Sequence, residues 1–433
     1  MNSNMTLVCK VCEGETDCRF GYSNRVHQPL NFACPHCASL MLVTMDTSSP
    51  PQTTFEFKGC EPYEGQRRLF SDHKNPFVDL HLDFPVRFGK YVIGNTPYMM
   101  AAQELKDTSK SFAEAQAKMA FHNQRLDQLN YFSDRSDEIK VIIRLYSGKN
   151  KQLFKKRVSD FLNKDLGPSL QPQDINAALY QFLTFIFLPF VHLGEVRSLV
   201  DWITEITMNL AGTPLDDFVR NIIDTGFLST LQKDCLKLYP DIYSAELPLR
   251  PALYLDLIHG YEKAKIAARV STKDFQSYKD LYKDILEVFS RQLILVAGIN
   301  NLIHRGDVNA FPAINGGTLS SIGKFSEKTL SERFKYLDDC WYDIDREIID
   351  TQVRNSIAHN NVSYNDVTQI IEYFPDGGRI EPTPAQQIYF LDFMRMILVA
   401  FREVNNLHHL VKCLFYYEYL VLQNPERKEK KQY

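Results

Sequence analysis

The sequence predicts a mainly α-helical protein that carries a small, cysteine-rich β head at its N-terminus. Three observations lead to this fold class. Five of the nine cysteines lie within the first 40 residues. Residues 98–131 are rich in helix-forming side chains and contain neither glycine nor proline. Further along the chain, apolar residues recur at three- and four-residue spacing, which indicates amphipathic helices.

The composition places the chain among ordinary globular proteins. It has 433 residues, of which 44% are hydrophobic and 24% are charged, which excludes a disordered, collagen-like or low-complexity chain. This length predicts two or three domains. Because the formal net charge is −4, binding to a nucleic acid would require a local basic patch rather than the charge of the whole chain.

The N-terminal segment and the apolar stretches indicate a cytoplasmic protein. No basic start followed by an apolar core is present, so we expect no signal peptide. The most apolar stretch, residues 177–193, is interrupted by Gln181, Thr184 and Pro189 and is too short to span a membrane. The missing signal peptide and the short apolar stretch together predict no membrane partner. An odd number of cysteines without an export signal also argues against a disulfide framework.

Glycine, proline and small polar residues divide the chain into four consecutive predicted segments. Residues 1–46 form the head, and residues 47–97 form a connector in which a linker at 47–54 precedes short strands. Residues 98–270 form a helical middle domain, and residues 271–433 form a helical bundle. The predicted helices cover residues 98–131, 134–146, 151–162, 174–187, 194–211, 215–224, 250–270, 273–303, 327–358 and 384–422.

The head contains two C-x-x-C pairs, Cys9 with Cys12 and Cys34 with Cys37. Two thiolates can reach one ion from each tight turn, and four thiolates close a tetrahedron with no open position. This pattern resembles a zinc ribbon over residues 7–43, which implies one structural Zn²⁺ per chain. A redox pair is the alternative. Cys18, His27 and His36 are spare ligand candidates, although four thiolates already satisfy the ion.

The sequence indicates the function of this head less clearly than it indicates the metal site. Its basic residues are outnumbered by acidic ones, and four thiolate ligands add negative charge, so the head is a poor surface for phosphates. A protein contact or a structural cap is therefore the favoured interpretation.

The second informative string is Arg354-Asn355-Ser-Ile-Ala-His359. Arginine is a forked, always-charged donor for phosphate, and histidine titrates near neutral pH. Together they suffice for RNA cleavage without a metal ion: a base removes the 2′-hydroxyl proton, the oxygen attacks phosphorus, and the guanidinium stabilises the developing charge. The same spacing occurs at Arg68 and His73 in a polar loop, where we interpret it as coincidence.

The string at Arg354 resembles the motif of the HEPN superfamily, R-x4-6-H, often written RNxxxH, at the end of a helix in a four- or five-helix bundle. The resemblance covers residues 270–422 in architecture, but only Arg354, Asn355 and His359 in motif. It implies that Arg354 and His359 are catalytic and that Asn355 orients them. Asp350, four residues before the arginine, and Glu347 match acidic residues found in several branches of that family.

The same resemblance implies partners and a biological role. Many members are ribonucleases of toxin–antitoxin, CRISPR-linked and phage-defence systems, and they dimerise so that two motifs face one another. The implied function is a metal-independent endoribonuclease of a defence, toxin or stress-response type, with RNA as substrate, a homodimer as the active form, and a protein trigger or antitoxin as a further partner. The alternative is a non-catalytic scaffold or sensor that only dimerises or binds nucleotide.

Two interpretations of the motif that involve no catalysis remain open. Asp350 and Arg354 could form an i, i+4 ion pair worth a few tenths of a kcal/mol. His359 could interact with the dipole at a helix C-terminus.

A basic stretch at residues 140–157 is a candidate nucleic-acid surface. It contains seven positive residues and no acidic one, with Tyr146 and Phe154 interleaved as possible stacking partners. A solvated helical face is the alternative. The residues expected to contact the RNA backbone are Lys149, Lys151, Lys155, Lys156 and Arg157.

Overall fold

A computed structural model describes residues 2–65, 70–258, 267–272, 274–314, 316–345, 349–375 and 384–424. The chain forms two compact units, each assembled from three separate stretches. The first unit comprises Met1–Ser133, Ser244–Leu281 and Gln352–Leu398, and the second comprises Asp134–Tyr243, Tyr282–Thr351 and Val399–Tyr433. These two compact units do not coincide with the four consecutive segments predicted from the sequence. The boundaries of those four segments stay a prediction.

The predicted fold class, mainly helical with a small N-terminal β region, is confirmed. Within the described residues the strands are β1 (Asn2–Cys9), β2 (Glu15–Gly21), β3 (His27–Ala33), β4 (Leu40–Ser49), β5 (Gln52–Lys58), β6 (Cys60–Pro62), β7 (Phe77–Leu80), β8 (Val86–Arg87), β9 (Ala268–Arg269), β10 (Val362–Asn365), β11 (Ile370–Tyr373) and β12 (Gln386–Tyr389). The α-helices are α1 (Pro97–Thr108), α2 (Phe112–Asp134), α3 (Ser136–Ser147), α4 (Lys151–Leu162), α5 (Pro172–Phe187), α6 (Leu193–Asn209), α7 (Thr213–Asp224), α8 (Phe227–Ser244), α9 (Glu246–Leu255), α10 (Lys279–Arg305), α11 (Ile322–Ser326), α12 (Leu330–Lys335), α13 (Thr351–Ala358) and α14 (Phe390–Tyr417).

The N-terminal β region consists of two small sheets with a shared apolar core. Their strand orders are β6-β1-β2-β7 and β3-β4-β5. Along β3 and β4 every second side chain is buried, because alternate residues of a strand point to the same face. Leu7, Phe20, Phe32, Val43 and Leu80 are among the buried residues of this core. The core holds the two hairpins that carry the C-x-x-C pairs.

The linker predicted at residues 47–54 is instead a β-hairpin. Strand β4 continues through Ser49, which pairs with Gln52 at the start of β5. Pro50 and Pro51, joined by a cis peptide bond, form the turn. Small polar residues and prolines suit an exposed hairpin end as well as a linker, so composition alone did not distinguish them. The β region therefore continues past residue 46 into β5.

The long helix predicted at residues 327–358 is wrong. The described residues between 322 and 358 instead contain three short helices, α11, α12 and α13, and residues 336–345 contain no helix. Side-chain contacts replace helical bonds there: the Trp341 backbone N–H donates to Asn300 Oδ1 at 3.2 Å, and its indole N–H donates to the Val296 carbonyl at 3.2 Å. The helix was predicted from the three- and four-residue spacing of Leu337, Trp341, Ile344 and Ile348. The first three lie in an irregular segment, and Ile348 lies outside the described residues.

Other predicted helices differ in their limits. The single helix predicted at 98–131 is observed as two helices, α1 and α2. In the region predicted as a helix at 250–270, α9 ends at Leu255 and β9 forms further along. Residues 384–389 precede α14 and contain β12 rather than helix. In contrast, α4 has the predicted limits, because Asn150 caps it by accepting the Leu153 N–H.

One segment of the described chain, Phe275–Arg305, has the length and hydropathy of a membrane span. Within its most apolar window, 89% of the residues are buried inside the protein, which is typical of a core helix. The cytoplasmic location stays a prediction.

Candidate functional site

The first C-x-x-C pair lies in the turn between β1 and β2. Cys9 ends β1, and its carbonyl accepts the Glu13 N–H at 2.9 Å, while the Cys9 N–H donates to the Gly14 carbonyl at 3.1 Å. Glu13 has a left-handed backbone, with φ of 59°. The Val11 N–H approaches the Cys9 sulfur at 3.5 Å. This turn brings both sulfur atoms of the pair to the same side of the hairpin end.

The second pair repeats this turn between β3 and β4. The Cys34 carbonyl accepts the Ala38 N–H at 2.9 Å, and the Cys34 N–H donates to the Ser39 carbonyl at 2.9 Å. Ala38 is left-handed, with φ of 61°. The left-handed residue follows the second cysteine in both turns, so the two pairs have the same local geometry.

The two turns bring all four cysteine sulfur atoms together. The Cys9 and Cys37 sulfurs are 3.8 Å apart, the Cys12 and Cys34 sulfurs are 3.7 Å apart, and all four lie within 4.8 Å of one another. A zinc–sulfur bond of about 2.3 Å in a tetrahedron implies sulfur–sulfur edges of roughly 3.8 Å. The cluster therefore has the geometry of a metal site, and it is the single group of this kind among the described residues.

The local electrostatics already favour thiolates at part of this cluster. Hydrogen bonds from the Ser39 hydroxyl and backbone N–H lower the pKa of Cys37 to about 6. Burial raises the pKa of Cys34 to about 12. A bound ion would have to displace the Cys34 proton, because metal ligation requires the thiolate.

The spare candidates lie outside the cluster. Cys18 is fully buried in the β core. His27 contacts Asp46 at 2.7 Å, and the ring of His36 contacts the Glu15 carbonyl at 2.9 Å. A side chain at Gly14 would lie 2.4 Å from the His36 ring, so the glycine leaves room for it. His36 thus joins the two hairpins by packing and hydrogen bonding.

The Arg–Asn–His string lies on α13, a helix of 8 residues, rather than at the end of a long one. The Arg354 guanidinium donates to Asn355 Oδ1 at 3.2 Å. The His359 N–H donates to the Asn355 carbonyl at 3.0 Å, so the helical pattern extends to the histidine. Asn360 then turns left-handed, with φ of 55°, and ends the helix. The asparagine after the histidine is therefore explained by the helix end.

These contacts define a polar strip of three residues, Arg354, Asn355 and His359. At 100° per residue, Arg354 and His359 are separated by about 140° around the helix, so they do not share a face. Asn355 and His359 are four residues apart and do share one. Asn355 therefore connects the arginine, through its side chain, to the face of the exposed histidine.

Of the two acidic residues before the motif, the structure describes only Asp350. It directly precedes the first residue of α13, and its backbone carbonyl accepts the Tyr282 hydroxyl at 3.4 Å. Its catalytic role stays a prediction. Glu347 lies outside the described residues.

The second copy of the spacing has a different setting. Arg68 lies outside the described residues. His73 follows a single turn of 3-10 helix, Phe70–Asp72, and has a left-handed backbone with φ of 52°.

The basic stretch offers fewer free cations than its sequence indicates. Lys155 is buried, and its ammonium donates to the Ser169 carbonyl at 2.6 Å. Lys151 donates to the Tyr146 carbonyl and lies 4.7 Å from the centre of that ring. The exposed cations among the predicted RNA contacts are Lys149, Lys156 and Arg157.

The interleaved aromatic residues are also internal. Phe154 is fully buried, and its ring packs edge-on against Tyr146 with centres 5.3 Å apart. The Tyr146 hydroxyl donates to Gln232 Oε1 at 2.9 Å. Phe154 is therefore unavailable for base stacking, and RNA binding by this stretch stays a prediction.

One titratable site was not predicted from the sequence. Glu403 is buried beside a cavity of about 890 Å³ that Asp343 and Asp345 also line. Its carboxylate accepts the Tyr342 hydroxyl at 2.6 Å. Burial, together with repulsion from Asp345 and Asp343, raises the pKa of Glu403 to about 7. A glutamate in a helix carries no sequence signal of burial, so only the folded chain reveals it.

No protein-family model, curated protein or solved structure matches this chain.

Proposed function

We propose that this chain is a metal-independent endoribonuclease of a defence, toxin or stress-response type, in which Arg354 and His359 act on RNA. The polar strip of α13 is the observation that carries the proposal. His359 is exposed and shares a helical face with Asn355, and the Asn355 side chain accepts a hydrogen bond from the Arg354 guanidinium. A base and an anion-binding group thus lie five positions apart along the chain at the end of one short helix.

The proposed reaction is transesterification within the RNA strand. The imidazole of His359 takes the proton of a 2′-hydroxyl, and the 2′-oxygen attacks the adjacent phosphorus. The bond from phosphorus to the 5′-oxygen breaks, and that oxygen takes a proton from an imidazolium of a second copy. The guanidinium of Arg354 stabilises the charge that builds up on the phosphoryl oxygens. The products are a 2′,3′-cyclic phosphate and a 5′-hydroxyl.

Asn355 has a positioning role in this proposal. Its side-chain oxygen accepts from Arg354, which restricts the guanidinium to a few orientations. A restricted arginine loses less conformational freedom when it binds a phosphate.

We further propose that the four-cysteine cluster holds one Zn²⁺ with a structural role. Thiolate sets of this kind select zinc among the common ions, and four protein ligands leave no position for a substrate. The matching turns and the sulfur–sulfur distances support this assignment. Elemental analysis of the purified chain should find about one zinc per chain.

The ribonuclease proposal is tested with the full chain and a labelled single-stranded RNA, without added divalent metal. Chelators are left out, because they would also remove a structural zinc. We expect fragments that end in a 2′,3′-cyclic phosphate. Arg354→Ala and His359→Ala should each lower the cleavage rate by roughly 10²- to 10⁴-fold. His359→Ala should leave thermal stability nearly unchanged, because its side chain is exposed.

Two controls make this experiment specific. His73→Ala changes the exposed histidine of the other Arg–His spacing and should retain the full rate. An RNA with 2′-deoxyribose at the cleaved position should remain intact, because the nucleophile is missing. Cleavage of that deoxy substrate, or full activity in both motif variants, would refute the mechanism. If the RNA stays intact with the unmodified chain as well as with every variant, the result would favour the scaffold or sensor alternative.

A further inference from the structure

The second compact unit contains a cavity of about 560 Å³ between helices α4, α5, α6 and α14. Its walls are mainly apolar, with Phe185 and Leu188 on one side and Leu193 and Tyr180 among the other lining residues. A cavity of this size and composition is in the range that proteins use for small ligands.

Lys412 on α14 is the unusual group in this cavity. It is half-buried, and its ammonium has neither a hydrogen bond nor an ion pair in the part of the chain that the structure describes. The ammonium lies 5.8 Å from the centre of the Tyr180 ring. Burial lowers the pKa of Lys412. The lysine has therefore lost hydration without gaining an anion, which is unfavourable in the ligand-free protein.

The surroundings of Lys412 offer no compensating negative charge. His409, one turn earlier on α14, is buried, and burial lowers its pKa to about 3, so its ring is neutral at physiological pH. No aspartate or glutamate is among the described lining residues. At the mouth of the cavity, Lys164 adds a second positive charge, and its ammonium donates to Gln181 Oε1 at 2.7 Å.

We propose that this cavity binds a small amphipathic carboxylate, with the carboxylate against Lys412 and an alkyl body along Phe185, Leu188 and Leu193. The anion would restore to the lysine the electrostatic partner that the protein does not provide. The apolar body would displace water from the wall residues. Lys164 would attract the anion at the mouth without contacting it in the bound state.

Isothermal titration of the full chain with decanoate tests this site, with decyltrimethylammonium as a probe of equal chain length and opposite charge. We expect saturable binding of one decanoate per chain and much weaker binding of the cationic probe. Lys412→Met keeps an unbranched side chain, one atom shorter, and removes its charge, so it should weaken decanoate binding about tenfold or more. Ala177→Phe should abolish binding by filling the cavity, although it leaves Lys412 in place.

Two lysine variants separate the cavity from general charge effects. Lys164→Met should change decanoate affinity less than Lys412→Met, because Lys164 already donates to Gln181. Lys233→Met removes an exposed cation on α8 and should leave the affinity unchanged. Lys412→Met should also raise the unfolding midpoint of the ligand-free protein, because it removes a poorly hydrated charge. Equal binding of both probes, undiminished affinity in Lys412→Met, or no binding to the unmodified chain would overturn the proposal.

Discussion

Two regions of the molecule gather several groups that can release a proton, and the fold treats them differently. In the cysteine head, two identical turns bring four sulfur atoms within 4.8 Å of one another. Around the cavity beside Glu403, carboxylates also gather, but Asp343 and Asp345 are exposed and only Glu403 is buried. Among the described residues, only the cysteines form a cluster that could hold a metal ion.

The difference shows that crowding of acidic groups does not by itself make a metal site. The cysteine turns fix their sulfur atoms through backbone hydrogen bonds, so the ligands converge before any ion binds. The carboxylates stand on a helix and an irregular segment, where water solvates two of them. Burial instead raises the pKa of Glu403 to about 7, so this carboxyl group keeps its proton to a higher pH than an exposed glutamate does.

The largest expected effect is on the cysteine head. Removing the ion with a chelator, or the variant Cys34→Ser, should lower the free energy of unfolding of the head by about 5 kcal/mol or more, because structural zinc contributes directly to folding. Hydrogen exchange of residues 2–58 measures this change. Cys18→Ala alters a buried cysteine outside the cluster and should keep the zinc. Unchanged exchange after complete zinc removal would show that the apolar core alone holds the head.

An intermediate effect is expected at Glu403. Its pKa in the folded chain, about 7, lies above the ordinary value of 4.5, so the folded state binds the proton more tightly. Its stabilising contribution is therefore fully present below pH 4.5 and is lost as the pH rises through 7. Between pH 5.5 and 8 the free energy of unfolding should fall by roughly 2 kcal/mol from this group.

Denaturant unfolding of the unmodified chain and of Glu403→Gln measures this pH dependence. The amide cannot ionise and can still accept the Tyr342 hydroxyl, so the variant should lose that part of the slope. Glu327→Gln changes an exposed glutamate and serves as the matched control. Parallel pH profiles for Glu403→Gln and the unmodified chain would mean that folding does not raise the pKa of Glu403 above its ordinary value of 4.5.

The smallest expected effect concerns the turn that follows the second cysteine pair. Ala38 has a left-handed backbone, which is unfavourable for any residue with a Cβ atom. Ala38→Gly should raise the stability of the head by about 0.5 kcal/mol, because glycine adopts this conformation freely. Ala117→Gly changes an exposed residue in the second turn of α2 and should lower stability by about 1 kcal/mol. The same sign for both substitutions, measured by thermal unfolding, would argue against strain at Ala38.

The cysteine cluster was predictable because its spacing and its geometry have the same cause. Two C-x-x-C pairs at this spacing can hold one ion when each lies in a tight turn, and the structure has such turns at the ends of two hairpins. The motif at Arg354 is different. Its spacing was read from the sequence, but its predicted setting at the end of a long helix was wrong, because Trp341 lies in an irregular segment and donates to Asn300 and Val296 of α10 instead.

Burial of polar groups was the part of the molecule that the sequence did not reveal. Lys155 is counted as a cation in any basic stretch, yet the Ser169 carbonyl binds it inside the fold. The burial of Glu403 and the partial burial of Lys412 likewise have no signal in the sequence. Their exposure depends on which distant segments pack against α4 and α14, and a local pattern contains no information about that packing.

The three-part construction of each compact unit has a consequence for synthesis on the ribosome. The first unit takes residues from as far along the chain as Leu398, and the second begins at Asp134 and extends to the C-terminus. Neither unit is complete until nearly the whole chain has emerged, although the cysteine hairpins appear within the first 58 residues. The nascent chain must therefore remain soluble with unfinished cores for most of its translation, and a fragment ending near residue 270 would lack parts of both.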